Sequence, residues 1–442
     1  MNTPVLVVGD GPAARRLTWA LADRGHRGPV VVVAPGDGPA PEADRYPDRV
    51  EILDAAGAVR LDRPRRLVRT ARHGDLPYGE LVLATGVRPV RASCAAHGGE
   101  TDPGCRVQAG RHLPRLAPGP VVVVGGGPRG VEAALELARA GREVTLAHRG
   151  PVPMHRRLDE VAGRMLADTL AEAGVTLRLG RTVTERVPGK VLLDDGEVVP
   201  AEALLVRAGS RPDTRVAAAA GLAVRHGVLV DSRLRTVDPA VSALGGCAEL
   251  PAPAPDPYPV AWDAADALAA RLTGGPVLLA PPHVLRLRGP GLETAVAGSL
   301  AALEAATEQI TLYDPAGRRY ARIGLEAGRV SAAVVTGLPA AAAEVARLYE
   351  RGLPVPAARL ALLLGVPART GSTRPLPDDT VVCRCNDVTR GRLADAWRGG
   401  ARTVAALAAA TRATTGCGGC SDDLRRLCTA MDARESGTGE VA

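Results

Sequence analysis

Four cysteines near the end of the chain carry the densest chemistry in the sequence. Cys383 and Cys385 form a C-x-C pair, and Cys417 and Cys420 form a C-x-x-C pair. Four thiolates brought together from two loops suit either a tetrahedral zinc ion or a [2Fe–2S] cluster. C-x-C is not the usual half-site of a zinc knuckle. Gly416, Gly418 and Gly419 would let backbone amides turn closely around bridging sulfides and donate to them. The segment between the pairs reads as helical, with RGRLADAW and TVAALAAAT broken at Gly399–Gly400.

Two glycine-rich turns form the second set of candidates. The apolar run PVLVV is followed at once by Gly9, Gly11 and Ala14, the spacing of a strand–turn–helix nucleotide fingerprint. Gly9 permits the tight turn, Gly11 lets a pyrophosphate approach the backbone, and Ala14 allows close packing of helix on strand. The helix is expected from about Pro12 to Asp23, and the next strand at Val30–Val33. That strand should end in an acid for the ribose hydroxyls, yet position 34 is Ala, which leaves Asp37 as the candidate. The run VVVVGGGPRGVEAALELARAGREVTLAH repeats the pattern as an unbroken βαβ unit, with Gly125, Gly127 and Gly130 as its glycines. Two fingerprints exclude a simple one-cofactor dehydrogenase and suggest a flavin nucleotide in one half and a nicotinamide in the other. His148 and Arg149 stand where an NAD-selective carboxylate would lie. Arg149 suits a 2′-phosphate and equally a plain surface role, so NADH and NADPH both stay open. Glu132 is a candidate for the nicotinamide–flavin face or an ordinary helix glutamate, and Arg156, Arg157 and Asp159 read as surface pairs. Neither His148 nor His155 has a triad partner visible in the sequence.

Further blocks carry a family resemblance. LVLATGVRP (81–89) contains Ala84, Thr85 and Gly86; AGSRPD (208–213) contains Gly209; RTVDPAVSALGGCAEL (235–250) contains Gly245 and Gly246. In order and spacing, residues 1 to about 270 resemble the pyridine-nucleotide–disulfide oxidoreductase-type flavoproteins. The resemblance implies an FAD domain interrupted by an NAD(P) domain, with these residues at the cofactors. The chain departs from the pattern where the flavin-ribityl Asp of the returning block is Gly246, and where the 37–75 stretch keeps only Arg45 and Tyr46 of the usual ring-lining residues. No C-x-x-x-x-C pair follows the first fingerprint, so dithiol chemistry is excluded, and Cys94, Cys105, Cys247 and Cys428 read as single thiols. The cysteine segment resembles the bacterioferritin-associated-ferredoxin-type [2Fe–2S] domain, which implies Cys383, Cys385, Cys417 and Cys420 as the four ligands. With HRGPVPMHRRLDEVAGRML (148–166) and TLYDPAGRRYARIGLEAGRVSAAVVTG (311–337), nearly the whole chain is similar to the N-terminal half of NAD(P)H nitrite reductase large subunits and to the electron-transfer subunit of assimilatory nitrate reductase. The implied function is relay of electrons from NAD(P)H through FAD to the cluster, then to a molybdenum nitrate reductase catalytic subunit or a nitrite reductase. Alternatives are the FAD/[2Fe–2S] subunit of an opine or amino-acid dehydrogenase, a flavin-deficient cluster-bearing adaptor or sensor, and a zinc-stabilised interaction protein. No further cysteine set for sirohaem and a [4Fe–4S] cluster is present, so nitrite reduction unaided is not expected.

These sites need several structural units to hold them. The 442 residues exceed what one core usually spans. The expected fold class is α/β: two nested Rossmann-like dinucleotide-binding domains, an α+β C-terminal domain and a small helical [2Fe–2S] module. The expected limits are 1–118 and 237–275 for the FAD domain, 119–236 for the NAD(P) domain and 276–365 for an α+β hairpin domain. A linker at 366–380, the [2Fe–2S] domain at 381–430 and a disordered tail at 431–442 complete the division. Phe is absent and only 3 Trp and 6 Tyr are present, so a stacking platform for nucleic acid would lack its rings. Lys190 is the single lysine, which leaves almost no candidate for a Schiff base or a Walker-type phosphate lysine. The net charge of +7 comes from scattered arginines, the pattern of a solvated surface. No apolar stretch reaches about 18 residues, so no membrane partner is expected, and the few clustered cysteines suit a cytoplasmic setting.

Overall fold

The computed structural model describes residues 3–34, 46–53, 58–90, 105–107, 113–251, 257–277, 284–287, 293–364, 378, 380–383, 386, 388–415 and 420–435. Asp37, Arg45, Cys94, Cys385, Gly416, Cys417, Gly418, Gly419 and most of the 366–380 segment lie outside them.

Two parallel sheets carry the two fingerprints. The first runs in the order Val241–Ala243, Glu80–Leu83, Val5–Val8, Val30–Val33, Val50–Leu53, and every neighbouring pair is parallel. The second runs Val175–Leu179, Val144–His148, Val121–Val124, Ala203–Val206, Cys105–Val107, again all parallel. Strands Val5–Val8, Val30–Val33, Val121–Val124 and Ala203–Val206 are buried along their whole length. Both faces of such a sheet are covered, so its central strands read as unbroken apolar runs. In each sheet the fingerprint strand is central, and the helix that follows it, Pro12–Asp23 or Pro128–Arg139, starts at the strand's carboxyl end. This is where open α/β sheets bind nucleotides.

The chain crosses between the units twice, and the crossings pair with each other. Val87–Pro89 and Ser210–Pro212 form an antiparallel ribbon, and Thr85 Oγ1 donates to the Asp213 carbonyl at 2.6 Å. An antiparallel sheet of Val183–Val187, Lys190–Leu193 and Val198–Pro200 covers one face of the second parallel sheet, with Val183, Val191, Leu193 and Val199 packed on Val122, Val124, Leu204 and Val206.

The expected unit limits shift in three places. Cys105–Val107 pairs with Ala203–Val206, so the second unit begins before 119. Ala217, Leu222, Val228 and Leu234 belong to the first core, so the return to it begins well before 237. Both shifts arise because long-range strand pairing and burial, which leave little local signal, decide which unit a segment joins. Helix Ser421–Glu435 runs past 430 into the segment expected to be a disordered tail.

A five-stranded antiparallel sheet follows, in the order Leu285–Arg286, Thr294–Ala297, Arg329–Thr336, Arg319–Glu326, Glu308–Asp314. Helix Pro339–Glu350 packs on one face through Ala341, Val345 and Leu348. The other face buries Val296, Tyr320, Ala332 and Val334 against the second unit, where the Tyr320 hydroxyl donates to Asp159 Oδ2 at 2.6 Å. Arg318 pairs with Glu172 across the same seam. The C-terminal module holds helices Arg390–Arg398, Val404–Thr411 and Ser421–Glu435 around Leu393, Trp397, Leu407 and Leu424. Among the described residues no helix is long and apolar enough to cross a membrane.

Candidate functional site

The first cradle forms because its glycines meet backbone. Gly9 has φ +116°, and a Cβ there would stand 2.2 Å from the Ala84 carbonyl oxygen, so only glycine lets the turn close on the Ala84–Thr85 segment. Gly11 is the N-cap of helix Pro12–Asp23 with no side chain capping it, and a Cβ at Gly11 would meet nothing within 4 Å. Among the described residues no side chain caps the first helical amides, and such uncapped helix starts can take an anion. Ala14 is fully buried beneath them. Tyr46 is 3% exposed and its hydroxyl donates to the Asp10 carbonyl at 3.3 Å, which closes one side of the turn.

Gly86 (φ +70°) and Gly245 (φ +74°) turn the two other segments at this crevice. A Cβ at Gly246 would lie 2.5 Å from Val87 Cγ1, so Val87 occupies the space a side chain would need. No carboxylate reaches out from position 246. Next to it, Cys247 is buried and donates to the Leu83 and Leu244 carbonyls at 3.2 and 3.3 Å, and burial pushes its thiol pKa up. It is a packing residue, as expected for a single thiol.

The second cradle repeats the construction more tightly. Gly125 has φ +110° and a Cβ there would stand 2.4 Å from the Arg207 carbonyl oxygen; at Gly130 it would stand 1.7 Å from the Gly125 carbonyl oxygen. Gly127 is the N-cap of helix Pro128–Arg139, with no side-chain cap, and a Cβ there would meet no atom of the described residues within 4 Å. Gly209 (φ +104°) lies on the crossing ribbon, where its carbonyl accepts from Val90 N at 2.9 Å. Glu132 pairs with Arg129 at 3.5 Å.

His148 ends strand Val144–His148 and is buried. Its Nδ1 accepts from the Gly126 amide at 3.0 Å, and its Nε2 lies 2.9 Å from His155 Nδ1. Burial depresses its pKa to about 4, helped by His155 and Arg149; the Val152 carbonyl pulls weakly the other way. His155, depressed in the same direction by burial and by Arg156 and Arg149, is thus the partner of His148 that the sequence did not reveal. Their seven-residue spacing across a loop carries no periodic signal. Asp159 accepts from Ala162 N at 3.0 Å as a helix cap and receives the Tyr320 hydroxyl, rather than pairing with Arg156 or Arg157.

In the C-terminal module, Val381–Cys383 and Val388–Thr389 form an antiparallel ribbon that carries Cys383. Cys383 and Cys420 are both buried in the same small core. Asn386 ties this region to the segment after helix Val404–Thr411: its Nδ2 donates to the Arg412 carbonyl and, at 3.0 Å, to Thr415 Oγ1. Arg412 (φ 64°) and Thr414 (φ 72°) bend the chain leftward just before the second pair. Of the four candidate ligands, Cys383 and Cys420 are thus the two within the described residues, and they share one core.

That module packs on the first unit. Arg412 Cζ lies 3.3 Å from the centroid of the Trp19 ring on helix Pro12–Asp23. Trp262, on helix Pro257–Leu272, packs against the core that contains Cys383 and Cys420. The two helices are clamped by Arg16 and Asp266, whose Nη2 and Oδ2 stand 2.8 Å apart.

The family described as "Pyridine nucleotide-disulphide oxidoreductase" matches residues 3–265. The chain belongs to that family. Residues 381–429 match the "BFD-like [2Fe-2S] binding domain". As a family member with this added domain, the protein is an FAD-dependent NAD(P)H oxidoreductase whose cofactor complement is FAD, NAD(P)H and a [2Fe–2S] cluster. Among its relatives, "Nitrite reductase [NAD(P)H]" of Bacillus subtilis (strain 168) is 27% identical over 84% of this chain and 48% of its own length. "Assimilatory nitrate reductase electron transfer subunit" of the same organism is 26% identical over 84% of this chain and 50% of its own length. The chain thus spans about half the length of these relatives. The fold is also that of a solved covalent putidaredoxin reductase–putidaredoxin complex, with a TM-score of 0.71, 23% identity, and coverage of 83% of this chain and 99% of the other.

Proposed function

We propose that this oxidoreductase takes reducing equivalents from NAD(P)H and passes them through FAD and the [2Fe–2S] cluster to a separate reductase, with a molybdenum nitrate reductase subunit or a nitrite reductase as acceptor. Flavin accepts hydride from a nicotinamide and releases electrons singly, whereas an iron–sulfur centre carries one electron at a time. In this reading Gly9, Gly11, Ala14, Ala84, Thr85, Gly86, Gly245 and Gly246 line the flavin nucleotide, with Asp37 as the ribose acid. Gly125, Gly127, Gly130, Arg149 and Gly209 serve the nicotinamide nucleotide. Cys383, Cys385, Cys417 and Cys420 bind the cluster.

The observation that carries the reading is the packing of the cysteine module on the first cradle's own helix. Arg412, one residue past helix Val404–Thr411, covers Trp19, and Trp262 of the neighbouring helix enters the cysteine core. A module that only recognised a distant partner would gain nothing from burying its arginine there. Burial lowers the Arg412 pKa, so this contact costs desolvation of a cation, and stacking on the indole offsets that cost. Relatives named for nitrate and nitrite reduction support the choice of acceptor.

Two measurements test the scheme. Cys383→Ser is expected to abolish the cluster's visible and EPR signals while FAD stays bound. NAD(P)H-dependent nitrate or nitrite reduction should appear only when the purified chain is mixed with the acceptor subunit. If acceptor turnover in Cys383→Ser matched the wild type, the cluster would not be on the path.

A further inference from the structure

Helix Pro257–Leu272 belongs to the first unit, where it buries Ala264, Ala265 and Leu268. Arg16 and Asp266, 2.8 Å apart, clamp it to helix Pro12–Asp23. One of its residues faces elsewhere: the Trp262 indole packs against the cysteine core, where Cys383 is fully buried and Cys420 is 6% exposed. Trp262 Nε1 is buried at this seam, and no hydrogen-bond partner meets it among the described residues. Arg412 Nη1, at the same seam, is a second buried donor with none among them, and its guanidinium carbon lies 3.3 Å from the Trp19 ring centroid.

A buried N–H has given up water and must find another acceptor, so few are left unpaired. The side chains gathered in the cysteine core offer lone pairs only at sulfur, on Cys383, Cys420, Cys428 and Met431. A neutral thiol and a thioether accept weakly. A metal-bound thiolate or a sulfide carries negative charge, and a hydrogen bond to it is the stronger kind. Two buried donors without protein partners, beside two buried cysteines, therefore fit an anionic sulfur centre better than a packing of neutral thiols.

Building on the reading of Cys383, Cys385, Cys417 and Cys420 as the ligands of the [2Fe–2S] cluster, we propose that the Trp262 Nε1–H donates a hydrogen bond to a sulfur of that centre and raises its reduction potential. Reduction adds one negative charge to the centre, and a donor at its sulfur stabilises the added charge. The donor comes from the first unit and not from the cysteine module itself. The centre is thus easiest to reduce while the module sits on the unit that, in the proposed function, holds the flavin.

The test uses the holoprotein carrying tryptophan labelled with ¹⁵N at the indole nitrogen. In the dithionite-reduced wild type, pulsed EPR is expected to show a ¹⁵N coupling to the cluster spin. The coupling should vanish in Trp262→Phe, which keeps a ring in the seam and removes the N–H, and persist in Trp397→Phe. A redox titration followed by the cluster's EPR signal should place the Trp262→Phe potential lower, with a reduced-to-oxidised ratio about threefold to tenfold smaller at the wild-type midpoint. If Trp262→Phe does not fold or hold a cluster, the couplings in the wild type and in Trp397→Phe still decide. A wild-type spectrum without the coupling, a coupling that survives in Trp262→Phe or is lost in Trp397→Phe, or an unchanged potential would overturn the hydrogen bond alone. A reduced wild type with no [2Fe–2S] signal would overturn the cysteine ligand set as well.

Discussion

The two cradles are built alike and end differently. Each has a buried apolar strand, a positive-φ glycine pressed against a carbonyl of the neighbouring strand's extension (Ala84 or Arg207), and a helix that opens with an uncapped glycine and a proline. They part at three places. The third small residue is Ala14 in one and Gly130 in the other. The second strand runs out at Ala34 in one and stops on the buried His148 in the other. The helix of the first carries Trp19, which the cysteine module covers. The shared parts are those that bring backbone close to the opening of each helix. In the proposed function, the parts that differ are the ones that distinguish the two nucleotides and place the cysteine module beside the first.

The difference at the third small residue predicts the largest effect. Gly130→Ala drives a methyl into the Gly125 carbonyl and should cost about 3 kcal/mol or more, whereas Ala14→Gly should cost about 1 kcal/mol, chiefly in helix propensity. Chemical denaturation of the two variants gives the comparison directly, and equal losses would break it.

The strand ends predict a pH dependence on one side only. The His148 pKa is about 4 in the fold against 6.5 for a free histidine. Below pH 6.5 the unfolded chain takes up a proton that the folded one refuses, so stability present above 6.5 is lost as the pH falls towards 4. The loss is on the order of 3 kcal/mol, and His148→Asn should remove this part of the slope in denaturation curves taken across that range. Ala34 offers nothing to titrate, so the first cradle contributes no such histidine slope.

Smaller effects sharpen the contrast. Arg412→Ala should weaken the contact with Trp19 by about 1–2 kcal/mol and raise amide exchange in the cysteine module without altering exchange in the second cradle. Gly11→Ala changes an N-cap whose Cβ would meet no atom of the described residues within 4 Å, so it should shift stability by under about 1 kcal/mol. The same methyl would stand where a pyrophosphate approaches, so FAD content should fall out of proportion to that shift.

Local features were readable from the chain itself. Helix Pro12–Asp23 and strand Val30–Val33 lie where apolar runs, an N-terminal proline and glycine turns put them, because each is determined by neighbours in sequence. The placing of His148 at a strand end was equally legible from the βαβ pattern. What the chain hid was non-local. The edge strand Cys105–Val107 joins a sheet whose partner lies almost a hundred residues on, and nothing in its own composition marks the choice. The His148–His155 contact spans an irregular loop, and Arg412 reaches Trp19 from the far end of the molecule. The steric bar at Gly246 depends on Val87, a residue of a different segment.

The central claim is that donor, flavin and cluster are connected within this one polypeptide. Anaerobic titration of the purified chain with NAD(P)H, followed by flavin absorbance and by EPR of the reduced cluster, tests it most directly. Bleaching of the flavin together with growth of a [2Fe–2S] signal from the same sample is the expected result. A flavin that bleaches while the cluster stays oxidised, or a colourless chain holding one zinc ion, would contradict it.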